Sequence, residues 1–121
     1  MSYVINPNLE LEYIHITFSD TVTFDERKKA KAEVISLCFD NNFHRSLIDL
    51  RESNVQMSKS DVVKFASSFK NTALPENYRI ACVVSTNNQS ENLIEIIISQ
   101  DGINVKYFLN FKDAQDWLTS V

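Results

Sequence analysis

Ser58 and Ser60 stand in the run Met57-Ser58-Lys59-Ser60-Asp61, between the apolar stretch Leu47–Leu50 and a segment with helical periodicity. A hydroxyl at the first turn of a helix has two uses. It can cap the helix, its oxygen accepting from an orphan backbone amide, and Asp61 three residues after Ser58 has the spacing of a capping box. It can also carry a phosphate, which meets unpaired amides and the positive end of the helix dipole, worth about 0.3–1 kcal/mol at an exposed site. Lys59 and Arg51 would attract that phosphate, and Asp61 would repel it. Ser58 is the candidate cap. Ser60 is the candidate phosphoacceptor, and the sequence leaves both uses open.

Other chemistry-bearing residues are scattered. His15 shares an alternating stretch with Tyr13 and Thr17, and His44 precedes an apolar run. Neither clusters with further ligands at metal spacing, so no metal site is expected. Gly102 is the one glycine, which excludes a glycine-rich phosphate loop, and no Gly-x-Ser-x-Gly elbow occurs. Asp49 and Glu52 flank the end of a predicted central strand, the edge where open α/β sheets bind ligands. An aspartate there also bonds neighbouring backbone amides. With no activated nucleophile and no polarising group in view, neither enzymatic activity nor a cofactor is expected. Cys38 and Cys82 both sit in apolar stretches and read as small core residues.

Phenylalanines are plentiful, eight in 121 residues. Phe39, Phe65 and Phe69 fall on predicted helices, where they pack the core or line an apolar ligand cavity. The net charge of −4 argues against a nucleic-acid partner, which needs basic surface to displace counterions. The one basic run, Arg27-Lys28-Lys29-Ala30-Lys31, lies on a predicted helix with Ala30 inward and its charges read as a solvated face. Residues 1–13 show neither a basic leader nor a long apolar core, so no signal peptide is expected, and no window has the length of a membrane span. A cytoplasmic location is the expectation.

The elements that position these residues follow from periodicity. A short strand over 2–5 and a turn at Asn6-Pro7-Asn8 lead into the alternating stretch 9–18, with Ile14, Ile16 and Phe18 on one face. A loop then reaches a helix capped by Thr23 with Glu26, whose buried stripe is Ala30, Val34, Leu37 and Cys38. Residues 44–50 read as a strand, 58–71 as a helix burying Val62, Phe65, Ala66 and Phe69, and 78–85 as a strand covered on both faces. Residues 90–100 read as a helix burying Leu93, Ile94, Ile97 and Ile98. The alternative is a strand turning at Asp101-Gly102 into the next. The helix supplies the crossover that parallel strands require. A strand over 103–109 and a helix capped by Asn110, with Phe111, Ala114, Trp117, Leu118 and Val121 on one face, close the chain. The expected fold class is α/β: one domain over residues 1–121, with a small, mostly parallel mixed sheet of about five strands and about four helices.

This order resembles the SpoIIAA-like proteins, small bacterial members of the STAS group that share a core with CRAL-TRIO lipid-transfer domains. The resemblance spans nearly the whole chain and rests on FSDTVTFDE before the first helix, SLIDLRE, YRIACVV and the closing KYFLNFKDAQDWL. In STAS-type anti-sigma-factor antagonists the loop after the central strand carries Met-Asp-Ser-Ser-Gly, whose second serine a partner kinase phosphorylates. Ser60 falls on that position, while Ser58, Lys59 and Asp61 replace the Asp, the first Ser and the Gly. The resemblance implies a regulatory or protein-interaction module with a kinase or another regulator as partner. Its lipid-transfer kinship implies, as the alternative, an apolar ligand bound or sensed at or near a membrane surface.

Overall fold

The computed structural model describes residues 2–120. Five strands, β1 (Tyr3–Asn8), β2 (Tyr13–Thr23), β3 (Arg45–Gln56), β4 (Arg79–Val83) and β5 (Asn104–Phe108), lie in the order β1-β2-β3-β4-β5. β1 and β2 form an antiparallel hairpin, and every later pair is parallel. The crossovers are α1 (Phe24–Asn41), α2 (Lys59–Ser67) with a 3-10 turn at Ser68–Asn71, and α3 (Gln89–Gln100), while α4 (Phe111–Thr119) follows β5. Residues 90–100 are thus the crossover helix and not a hairpin strand. Asn88 caps α3 through the Glu91 amide, and Ile94 and Ile98 are buried one turn apart.

Two cores flank the sheet. On one face Ile14, Ile16, Phe18, Leu50, Ile80 and Cys82 meet Ala30, Val34 and Cys38 of α1, Val62, Phe65 and Ala66 of α2, and Ile94 and Ile98 of α3. On the other, Tyr13, Leu47, Ala81 and Val83 meet Ala114 and Leu118 of α4. β4 contributes to both clusters, which is why its sequence is apolar without alternation. No helix of the described residues is long and apolar enough to cross a membrane.

Four boundaries differ from the sequence expectation. Asn6-Pro7-Asn8 is the end of β1 and not a turn: β1 is an edge strand, where a proline removes no ladder bond on its open side. The chain reverses at residues 9–12, where the Asn8 side chain accepts from the Leu11 amide and Glu12 takes φ 60°. β2 runs on to Thr23 and β3 to Gln56, past the expected ends at 18 and 50, because Ser19–Thr23 pairs with Glu52–Gln56. That ribbon is polar apart from the facing pair Val22 and Val55, so apolar alternation gives little sign of it. Val121, expected on the apolar face of α4, lies outside the described residues.

Candidate functional site

Two regions gather polar chemistry. The first is the C-terminal end of β3. A register shift opens between Thr17 and Ser19 of β2 and Asp49 and Glu52 of β3, a bulge of the kind that re-aims side chains. The Asp49 carboxylate accepts from the Arg51 backbone amide at 3.1 Å and from the Arg51 guanidinium at 3.0 and 2.8 Å. Burial opposes its ionisation, but the Arg51 bonds and charge outweigh this and hold the carboxyl below the usual aspartate range. Arg51 is therefore engaged by Asp49. Beyond the bulge, β3 has no strand on its β4 side, since the β3–β4 ladder ends at Asp49 and Val83. Arg51, Glu52, Asn54 and Gln56 are exposed along this stretch.

The strand delivers the chain to the serine-bearing turn. Ser58 Oγ accepts from the Asp61 amide at 3.1 Å, with Ser58 in extended backbone as an N-cap requires. Ser60 lies inside the first turn of α2 with its side chain exposed, beside the exposed Lys59. The two serines thus sit in different settings: one hydroxyl is engaged by the helix, the other faces solvent. At Thr23 the hydroxyl likewise accepts from the Glu26 amide, but the Glu26 carboxylate accepts from Ser2 Oγ.

The second region is a partly open cavity of about 50 Å³ between the sheet and helices α1, α2 and α3. Phe65 and Phe69 line it, with their rings edge-to-face at 5.5 Å between centroids. Phe39 does not. It is 53% exposed on the far side of α1, because the stripe Ala30-Val34-Cys38 turns the next residue outward.

Two cations of α1 also line this cavity, contrary to the expectation of a solvated basic face. Arg27 is buried and forms a bidentate ion pair with Glu91 of α3 at 2.6 and 2.8 Å, its guanidinium 4.8 Å from the Phe65 ring centroid. The Tyr107 hydroxyl donates to Glu91 at 2.6 Å. Burial opposes ionisation of Glu91, yet the Arg27 charge and these hydrogen bonds prevail and keep its carboxyl below the usual range. Lys31, one turn on and half-buried, donates to Ser68 Oγ and Thr72 Oγ1, each at 2.8 Å, and its Nζ lies 4.2 Å from the Phe69 ring centroid. Burial brings its amine down to about 8. The basic run mixes two inward cations with the outward Lys28 and Lys29. The available signal was position: residues 27, 30, 31, 34 and 38 follow one helical stripe.

The remaining candidates do not assemble. The His15 ring lies 5.3 Å from the Phe111 ring and its Nε2 is 3.3 Å from Thr17 Oγ1. Burial lowers its basicity. His44 Nδ1 lies 2.6 Å from the Glu76 carbonyl, at the opposite end of the sheet. Burial pushes the Cys38 thiol up to about 11 and the Cys82 thiol up to about 12, making both poor nucleophiles. No group of three metal-ligating side chains occurs among the described residues.

No family model matches the chain, and no curated protein matches it. Solved structures do. The chain is similar to an uncharacterised DUF3478-family protein with a SpoIIAA-like fold from Shewanella loihica, at 17% identity and a TM-score of 0.61, covering 97% of this chain and 94% of that one. It is also similar to the anti-sigma factor antagonist SpoIIAA in its unphosphorylated form, at 10% identity and a TM-score of 0.64, covering 98% and 99%. With its hairpin, its parallel β2-β3-β4-β5 ladder and its helical crossovers, and with these matches covering nearly the whole of each chain, the chain has the SpoIIAA-like (STAS-like) fold.

Proposed function

We propose that this chain is a non-enzymatic regulatory module that binds a protein partner, a kinase or another regulator, at the C-terminal end of β3 and the first turn of α2. The observation that carries the reading is the exposed stretch of β3 beyond Asp49, which has no strand beside it on the β4 side and runs directly into Ser58 and Ser60. A free strand edge offers a row of backbone donors and acceptors to a partner. The fold match to a protein named an anti-sigma factor antagonist, described in an unphosphorylated form, supports a regulatory role. The inert thiols and dispersed histidines support a role without catalysis.

Photo-crosslinking tests it. A crosslinker at Asn54 should capture a specific protein from native lysate, and one at the distant Glu10 should not. Equal capture at both positions, or none at either under several growth conditions, contradicts the reading. Intact mass of the protein from its own host tests Ser60: a phosphate adduct lost in Ser60→Ala and kept in Ser58→Ala is expected. An adduct that survives Ser60→Ala rules that site out.

A second reading, a ligand-binding role, is favoured by the cavity lined by Phe65 and Phe69. Its size bounds the ligand. At about 50 Å³ it has a third of the roughly 150 Å³ that accommodates benzene in an apolar protein cavity. A group of a few heavy atoms fits this interior, and a lipid acyl chain does not.

A further inference from the structure

We propose that a second cavity, at the N-terminal ends of β3 and β4, binds a free α-amino acid with a neutral polar side chain, its carboxylate on Arg45 and its ammonium on Glu12. This cavity lies at the opposite end of β3 from Ser60 and shares no lining residue with the cavity of Phe65 and Phe69. It therefore stands or falls independently of both readings above.

The cavity is open and holds about 350 Å³. Arg45 and Arg79, register partners on adjacent parallel strands, line it together with Glu12 and Glu76. Among the described residues no ion pair joins these four charges to one another or to any other side chain. Arg45 is the least committed. It is half-buried, and its one hydrogen bond among the described residues runs from Nη1 to the Leu11 carbonyl at 3.4 Å. Nε and Nη2 are left to grip a carboxylate. Arg79 is spent at the end of α4, where its Nη1 donates to the Trp117 and Ser120 carbonyls at 3.1 and 2.7 Å. Glu12 follows Leu11 directly, which places a carboxylate-bearing residue next to the carbonyl that Arg45 reaches. Its φ of 60° is a left-handed conformation that a glutamate seldom adopts, of a kind concentrated at ligand sites.

Charge selects the class of ligand. Two arginines and two glutamates cancel, which suits a zwitterion rather than a free anion. The helix ends point the same way. Asn42 closes the C-terminus of α1 and Ser120 that of α4, and both line the cavity. The C-terminal end of a helix dipole favours an ammonium and disfavours a phosphate, so anion recognition falls to the guanidinium. An α-amino acid carries its carboxylate and ammonium on one carbon. That matches a guanidinium bonded to Leu11 and a carboxylate on the next residue. Asn42, Asn77 and Ser120 supply neutral donors and acceptors for the side chain. On the scale of the roughly 150 Å³ that accommodates benzene, the volume admits about ten to fourteen heavy atoms. Glutamine, with about ten, falls within that scale.

Amide NMR of the intact chain provides the test, with separate titrations of L-glutamine, of glutaramate, which lacks the ammonium, and of L-glutaminamide, which lacks the carboxylate. Saturable shifts at the backbone amides of Glu12, Arg45 and Asn77 are expected with glutamine. Its affinity should exceed that of either analogue at least about tenfold, the loss expected when a hydrogen bond to a charged group is absent. Arg45→Met should erase the preference over glutaminamide, and Glu12→Gln the preference over glutaramate. The assignment is overturned if either analogue binds as well as glutamine, if inorganic phosphate binds more tightly, or if a preference survives its variant. It is equally overturned if glutamine leaves these amides unmoved. The ratios on the unaltered protein decide the matter even if Arg45→Met does not fold.

Discussion

Arg27 and Lys31 stand one turn apart on the same face of α1 and line the same cavity, yet they are kept in opposite ways. Arg27 is sealed in with a counter-ion: Glu91 matches both of its forked donors and is itself held by Tyr107. This cluster ties α1 to α3 and β5 across the top of the core. Lys31 has two hydroxyls and an aromatic face, and no acid. A buried charge that is paired holds a structure in register, whereas one that is not paired is tolerated for some other reason. The first arrangement is architecture. The second is a cation held by neutral partners alone.

The largest expected effect breaks the paired half. Glu91→Ala strands Arg27 in a dry interior and should cost about 3–5 kcal/mol, measured by denaturant unfolding. Replacing both partners with apolar residues, as in Arg27→Met with Glu91→Leu, should recover most of that loss. The pair also sets an acid limit. Because the folded carboxyl of Glu91 is held below its ordinary 4.5, its contribution is complete above that pH and is lost as the pH falls through the lower folded value. The stability difference between the unaltered chain and Glu91→Gln should therefore shrink on acidification.

Smaller effects separate the two serines. Ser58→Ala removes the cap of α2 and should cost about 1 kcal/mol. Ser60→Ala removes an exposed hydroxyl and should stay within about 0.5 kcal/mol. Equal losses at the two positions would erase the structural distinction between them. Lys31 gives the most diagnostic signal. Its amine titrates near 8 when folded and near 10.5 when unfolded, so the folded state releases its proton first and stability rises with pH across that window. Subtracting the profile of Lys31→Met should isolate this rise, because the tyrosines and cysteines that titrate there are common to both proteins.

Much of this architecture was legible in the sequence, and the exceptions have physical causes. The stripe Ala30-Val34-Cys38, the caps Thr23, Ser58 and Asn110, and the unbroken apolar run of β4 each encode a local requirement, so each pointed to its element. The β2–β3 extension was hidden because its pairing is through backbone bonds between polar residues, with Val22 and Val55 its single apolar signature. The Arg27–Glu91 pair joins residues 64 positions apart, a contact that no local pattern reports. A charge run reads as a solvated face, which hides the inward Lys31; only its place on the stripe of Ala30 and Val34 argues otherwise. Phe65 and Phe69 were expected either in the core or at a cavity, and they serve both, whereas Phe39 falls one residue past the inward position of Cys38.

The contrast between the paired and the unpaired cation is tested most directly by unfolding Arg27→Met and Lys31→Met side by side at pH 7. Arg27→Met leaves Glu91 buried without its partner and should lose about 3 kcal/mol or more. Lys31→Met removes an unpaired, half-buried charge and should hold or raise stability. A loss in Lys31→Met as large as that in Arg27→Met would make Lys31 a second structural cation and contradict the account.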